Sequence, residues 1–195
     1  MKKKVEFELK RKFIHLFSLL FIGVYLLISR YYNGQVALLA LVFIFICFII
    51  IEFFRISQKK RIPFFYIFWR KREKNRLAGH IYFILGAIIS FAVFDLEIAF
   101  AALLMTTFGD LAAAIIGIFF GKHWLKNIPN TAWEGVIAEF IVDLIVCWVI
   151  LGNWILVIPM ALAATFVETV FTHADDNLAI PVFSGFVGQV LKLFF

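Results

Sequence analysis

Asp175-Asp176-Asn177 forms an acidic island between two apolar stretches, with Glu168 just before it and Pro181, Ser184 and Gly185 after it. Adjacent carboxylates beside lipid repel each other and resist dehydration, so they require a compensating cation. Asp110 stands alone in another apolar stretch. Asp110, Asp175 and Asp176 supply hard oxygen ligands, with Asn177 as a neutral neighbour, a donor set that suits Mg2+ or Ca2+ better than zinc. Mg2+ is commonly held by one or two carboxylates plus substrate phosphates. The cations Arg11, Lys12, Arg76, Lys122 and Lys126 could bind such a polyphosphate. The chemistry indicated is phosphoryl or nucleotidyl transfer, with an aspartate not committed to metal as acceptor of a hydroxyl proton.

Other polar residues have plainer readings beside functional ones. Glu139 and Asp143 lie one turn apart in an apolar stretch and could join the site or line an ion path. Asp110 and Lys122 could form a purely structural ion pair. His15, His80, His123 and His173 lack zinc spacing and can each snorkel or cap a helix. The run Gly117-Ile118-Phe119-Phe120-Gly121-Lys122-His123 fails as a P-loop, because the glycines are too close and no Ser/Thr follows the lysine. Cys47 and Cys147 sit in apolar stretches and read as packing residues.

The elements that must position these residues are membrane helices. The chain is 64% hydrophobic and only 16% charged, well outside the range of soluble domains. Apolar runs predict an all-α bundle of about seven spans, near 13–29, 36–54, 80–94, 97–120, 136–151, 154–171 and 178–194. No small-x-small cleavage site follows the first run, which therefore reads as a retained span. Almost nothing remains for a soluble domain, so residues 1–195 read as one membrane-embedded catalytic unit. Within it, 55–79 brackets aromatics with basic clusters, as expected of a cytoplasmic segment lying against anionic headgroups. Every Lys and Arg except Arg30 and Lys192 falls on one side of this topology. The positive-inside rule puts that side, with the N-terminus, in the cytoplasm. The net charge of +6 is thereby explained without nucleic acid. In the fourth span Gly109, Ala113, Gly117 and Gly121 share one face, which predicts a close helix neighbour.

Four segments gather the unusual polar residues at the cytoplasmic ends: Glu8 to His15, Gly109-Asp110, Gly121-Lys122-His123 through Glu134-Gly135, and Glu168 through Gly185. In order and spacing they resemble the family of dolichol kinases, phytol kinases and CTP-dependent diacylglycerol kinases. The matching stretches include Glu8-Leu9-Lys10-Arg11-Lys12-Phe13-Ile14-His15, Phe108-Gly109-Asp110, Gly121-Lys122-His123, Trp133-Glu134-Gly135 and Asp175-Asp176-Asn177-Leu178-Ala179-Ile180-Pro181. The resemblance implies transfer of the γ-phosphate of CTP to a membrane lipid alcohol at the cytoplasmic face of a cell or endoplasmic-reticulum-type membrane. It implies catalytic and metal roles for Asp110, Asp175 and Asp176. Nucleotide or phosphate contacts would come from Arg11, Lys12, His15, Arg76, Gly121, Lys122, Lys126, Glu134 and Asn177. Family members often carry Lys-Ser/Thr before Glu-Gly, where this chain has Asn130-Thr131-Ala132-Trp133. Two rivals stand beside the kinase: a cytidylyltransferase making a CDP-lipid, whose His-Gly-Gly-x-x-Asp-Arg-x-Asp signature is absent, and a transporter using Glu139, Asp143 and Asp110.

Overall fold

The computed structural model describes residues 16–58, 77–125, 128, 131–171 and 174–195. Among them are seven α-helices: α1 Leu19–Tyr31, entered through a 3-10 turn at Leu16–Ser18, α2 Gly34–Gln58, α3 Gly79–Val93, α4 Leu96–Phe120, α5 Trp133–Leu151, α6 Trp154–Val170 and α7 Asp176–Lys192. Each predicted apolar run is one helix, with ends shifted by a few residues. Two segments, Gly34–Ser57 and Leu96–Phe120, are long and apolar enough by themselves to cross a bilayer. The fourth helix is continuous, without a break at any of its glycines.

The connectors are unequal. At one end of the bundle each link is two residues long: Tyr32-Asn33, Phe94-Asp95 and Gly152-Asn153. Gly152 takes the left-handed conformation at φ 60° that closes α5, and Asn153 caps α6 by accepting from the Ile155 N–H at 3.0 Å. Such short links make sequential helices antiparallel. The remaining helix ends, Gln58 and Gly79, Phe120 and Trp133, and Val170 and Asp176, therefore face the opposite way.

The surface runs opposite to that of a soluble protein. On α5, Gly135, Glu139, Asp143 and Cys147 form the buried stripe. Ile137, Ile141, Ile145 and Val149 are at least half exposed. A helix that turns its acids inward and its aliphatic residues outward is built for lipid as the outer solvent. The core beneath is apolar and small-residue rich, with Ala99, Ala102, Leu103 and Met105 of α4 against Val157, Met160 and Ala164 of α6.

One expectation needs correcting. Arg55 does not begin a headgroup-lying segment, because α2 runs on to Gln58 and Arg55 is buried on it. Its Nε lies 3.0 Å from both carboxylate oxygens of Glu52, one turn earlier, and that neutralising partner allows the guanidinium to enter the interior. Residues 59–76 of the expected segment lie outside the described residues.

Candidate active site

Antiparallel register gathers acids from four helices. Gly109 of α4 faces Asp143 of α5, and Gly117 faces Gly135, so these helices cross backbone to backbone. A Cβ on Gly135 would stand 2.8 Å from the Ala113 carbonyl, which is the close approach that the small-residue stripe predicts. On the other side of α4, Phe94 faces Gly185 and Ile98 faces Gly188 of α7. α7 therefore packs along α4 with its first turn pointing toward the end at which α4 finishes. Between α5 and α6, Cys147 Sγ lies 4.0 Å from Met160 Sδ, which carries Glu139 to the level of Glu168. Asp110, Glu139, Asp143 and Glu168 thus occupy one layer of the bundle, and the first turn of α7 directs Asp176 toward the same end.

The layer lies well inside the helical end. Asp110 is about 16 Å below Gly121 at the helical rise. The first turn of α7 is therefore recessed beneath the taller α4–α5 pair. Asp175 caps that turn, its Oδ1 accepting from the Asn177 backbone N–H at 3.2 Å and from Asn177 Nδ2 at 2.8 Å. Pro181, one turn on, has no N–H to offer the Asn177 carbonyl. That carbonyl lies against Gly86 of α3, where a Cβ would be 2.8 Å away, and the Asn177 amide lies against Gly79. Two glycines of α3 therefore let the acidic island sit directly on its backbone.

Above the layer, the link after α4 is tied down. Trp124 and Ala132 form an antiparallel bridge, and Trp133 N–H donates to the His123 carbonyl at 2.9 Å. Glu134, in the first turn of α5, accepts from the His123 backbone N–H at 3.2 and 3.3 Å and lies 2.7 Å from His123 Nδ1. Its own backbone N–H, the His123 side chain and the loop amides hold its carboxyl down at about 2. Lys122, beside it, is exposed, and no carboxylate among the described residues pairs with it. The structural Asp110–Lys122 pair does not form. Glu134, expected to touch phosphate, is instead engaged with the loop that carries Gly121 and Lys122.

At the same end, α2 contributes the buried Glu52–Arg55 pair, with His80 close enough at the start of α3 to feel both charges. Its Glu-x-x-Arg spacing was visible in the sequence, though no motif marked it. Arg11, Lys12, His15, Arg76 and Lys126 lie outside the described residues.

The donor set suits a hard divalent cation: Asp110, Asp175 and Asp176 are all only partly exposed, and all are oxygen ligands. Among the described residues no three His, Cys, Asp or Glu side chains converge as a ready-made cage. An open apolar groove of about 720 Å³ runs along α1 from Leu16 to Leu27, past Phe17, Leu20, Gly23 and Val24.

The chain is 29% identical over 222 residues to CTP-dependent diacylglycerol kinase 1 of Saccharomyces cerevisiae, covering 96% of this chain and 74% of the yeast protein. It is 29% identical over 133 residues to CTP-dependent diacylglycerol kinase 1 of Schizosaccharomyces pombe, covering 59% of this chain and 61% of that one. A probable chloroplastic phytol kinase 1 of Oryza sativa subsp. japonica is 30% identical over 132 residues, covering 57% of this chain and 41% of the rice protein. No family model and no solved structure matches.

Proposed function

We propose that the chain is a lipid kinase like these relatives, transferring the γ-phosphate of CTP to the hydroxyl of a membrane lipid at the cytoplasmic face. The observation that supports this reading is the recessed acidic layer around Asp110, with the capped first turn of α7 that carries Asp176 and the loop that carries Lys122 at the same end of the bundle. The alignment over nearly the whole chain supports CTP as donor and a lipid alcohol as acceptor. Seven spans with the longer links in the cytoplasm are supported by the concentration of Lys and Arg on those links.

Asp110, Asp175 and Asp176 would hold Mg2+ together with phosphate oxygens, and the ion supplies neutralisation of the polyphosphate charge. The protein's own contribution is positional. Lys122 meets the terminal phosphates from above, aided by Arg11, Lys12, Arg76 and Lys126. Asp175 fixes the first turn of α7, so Asp176 enters the layer on a capped helix terminus. The lipid's apolar body remains among outward-facing aliphatic residues, with the α1 groove available to it. Its hydroxyl reaches the recess laterally and attacks the γ-phosphorus, the bond to the β-phosphate oxygen breaks so that CDP leaves, and whichever of the three aspartates is not committed to metal accepts the hydroxyl proton.

The test uses purified protein in nanodiscs with CTP labelled at the γ- or α-position, offered diacylglycerol, phytol or a polyprenol. Label from the γ-position should appear in lipid with at least one alcohol. Transfer of α-label would replace the kinase reading with cytidylyl transfer, and no labelled lipid from any acceptor would sink both.

Glu134 yields a second expectation. Its depressed carboxyl stabilises the loop in full at every pH above the ordinary carboxylate range, and that contribution fades below that range and is gone once pH has fallen through about 2. E134Q should therefore raise KM for CTP about tenfold or less by loosening the Lys122 loop, with kcat less affected. The acid limb of the rate profile above pH 4 should keep its position. A shift of that limb in E134Q would identify Glu134 as a titrating participant in the chemistry.

A further inference from the structure

Asp143 and Glu168 are not needed by the phosphate chemistry above, yet they are the least conventional groups in the bundle. Asp143 is 1% exposed, and its Oδ1 has no hydrogen-bond partner. Glu168 Oε2 is likewise buried and unpartnered. Neither carboxylate has an ion-pair partner among the described residues, and Glu168 is near enough for its charge to act on Asp143. The seat is shaped for the carboxylate. A Cβ on Gly109 would stand 2.4 Å from Asp143 Oδ1 and 3.1 Å from its Cγ, so only glycine lets the group lie flush on α4.

Two neighbouring carboxyl groups, each with a buried unpartnered oxygen, are stable in a lipid-embedded interior only when a proton or a cation offsets their charge. Mg2+ and Mn2+ meet that demand with one or two carboxylates because they retain several waters. We infer that Asp143 and Glu168 hold a divalent cation between α4, α5 and α6, at a position separate from the phosphate-facing aspartates. Such an ion would join three helices. It would be bound before nucleotide arrives.

The inference does not depend on the kinase reading, because the test contains neither nucleotide nor lipid acceptor. Detergent-purified protein is stripped with chelator and titrated with Mn2+ alone, read by electron paramagnetic resonance and by thermal melting. Wild type should bind Mn2+ saturably and melt several degrees higher with it, as a ligand specific to the folded state requires. D143N and E168Q should each weaken binding at least about tenfold, while D176N binds as wild type. G109A, which pushes the Asp143 oxygens away, should weaken it as well. Without metal, D143N should melt at or above wild type, because one of two repelling charges is gone. Four results would each overturn the inference. They are no nucleotide-free binding by wild type, unchanged binding by D143N, equal loss in D176N, and a metal-free D143N that melts well below wild type.

Discussion

D176N and D110N should each lower lipid phosphorylation by about 10²–10⁴ while leaving the melting temperature within a few degrees of wild type. The asymmetry follows from where these side chains stand. Each is only partly buried, and an amide is nearly the size of the carboxylate it replaces, so the substitution removes charge without leaving a cavity. What it removes is negative charge at the point where a cation and a polyphosphate must be balanced, and where the attacking hydroxyl loses its proton. Asp175 should behave differently. Its Oδ1 is already spent on the Asn177 N–H and amide, so D175N should cost stability as well as turnover. Single-turnover phosphorylation with saturating CTP, run beside melting curves, separates the two cases. D176N with near-normal turnover would remove the acidic layer from the mechanism.

G86A should do the reverse, lowering stability first and activity as a result. Its new methyl would stand 2.8 Å from the Asn177 carbonyl and 3.1 Å from the Pro181 ring. Neither obstacle can swing aside, since one is backbone and the other a ring. Overpacking of this kind costs about 1–3 kcal/mol, relieved only by moving α7 away from α3. That motion carries Asp175 and Asp176 with it. Melting temperature and kcat should therefore fall together, with no change in the metal or nucleotide preference. A G86A protein as stable and active as wild type would mean that α3 and α7 do not meet there.

The helices were legible because apolar run length alone marks a chain that lives in lipid. The α4–α5 contact was legible too, since Gly109, Ala113, Gly117 and Gly121 share a face. The depth of the acidic island was not. It depends on α7 beginning far below the end of α4, a matter of register between helices distant in sequence. Arg55 was misread because a basic residue before an aromatic-basic segment resembles an anchor. Only the neighbour Glu52, one turn earlier, shows that it can be buried. Glu134 was readable as an acidic residue beside a Gly-Lys pair, but its attachment to the loop amides needs the hairpin that the Trp124–Ala132 bridge closes. Asp143 had no motif, and its meaning comes from the absence of a side chain on another helix.

The fit of Asp143 on Gly109 also bears on how the protein is made. An aspartate at the centre of a helix costs about 2.5–3.5 kcal/mol to insert, against gains of only about 0.3–0.6 per Ile, Leu, Val or Phe. With Glu139 and Asp143 both on its inner stripe, α5 is a poor candidate for entering the bilayer unaccompanied. α4 leaves the ribosome first, carrying a bare strip of backbone where that carboxylate comes to rest. The two helices should partition together as a hairpin, and bulky residues at position 109 should strand α5 outside the membrane during biosynthesis, before any enzyme exists to be assayed.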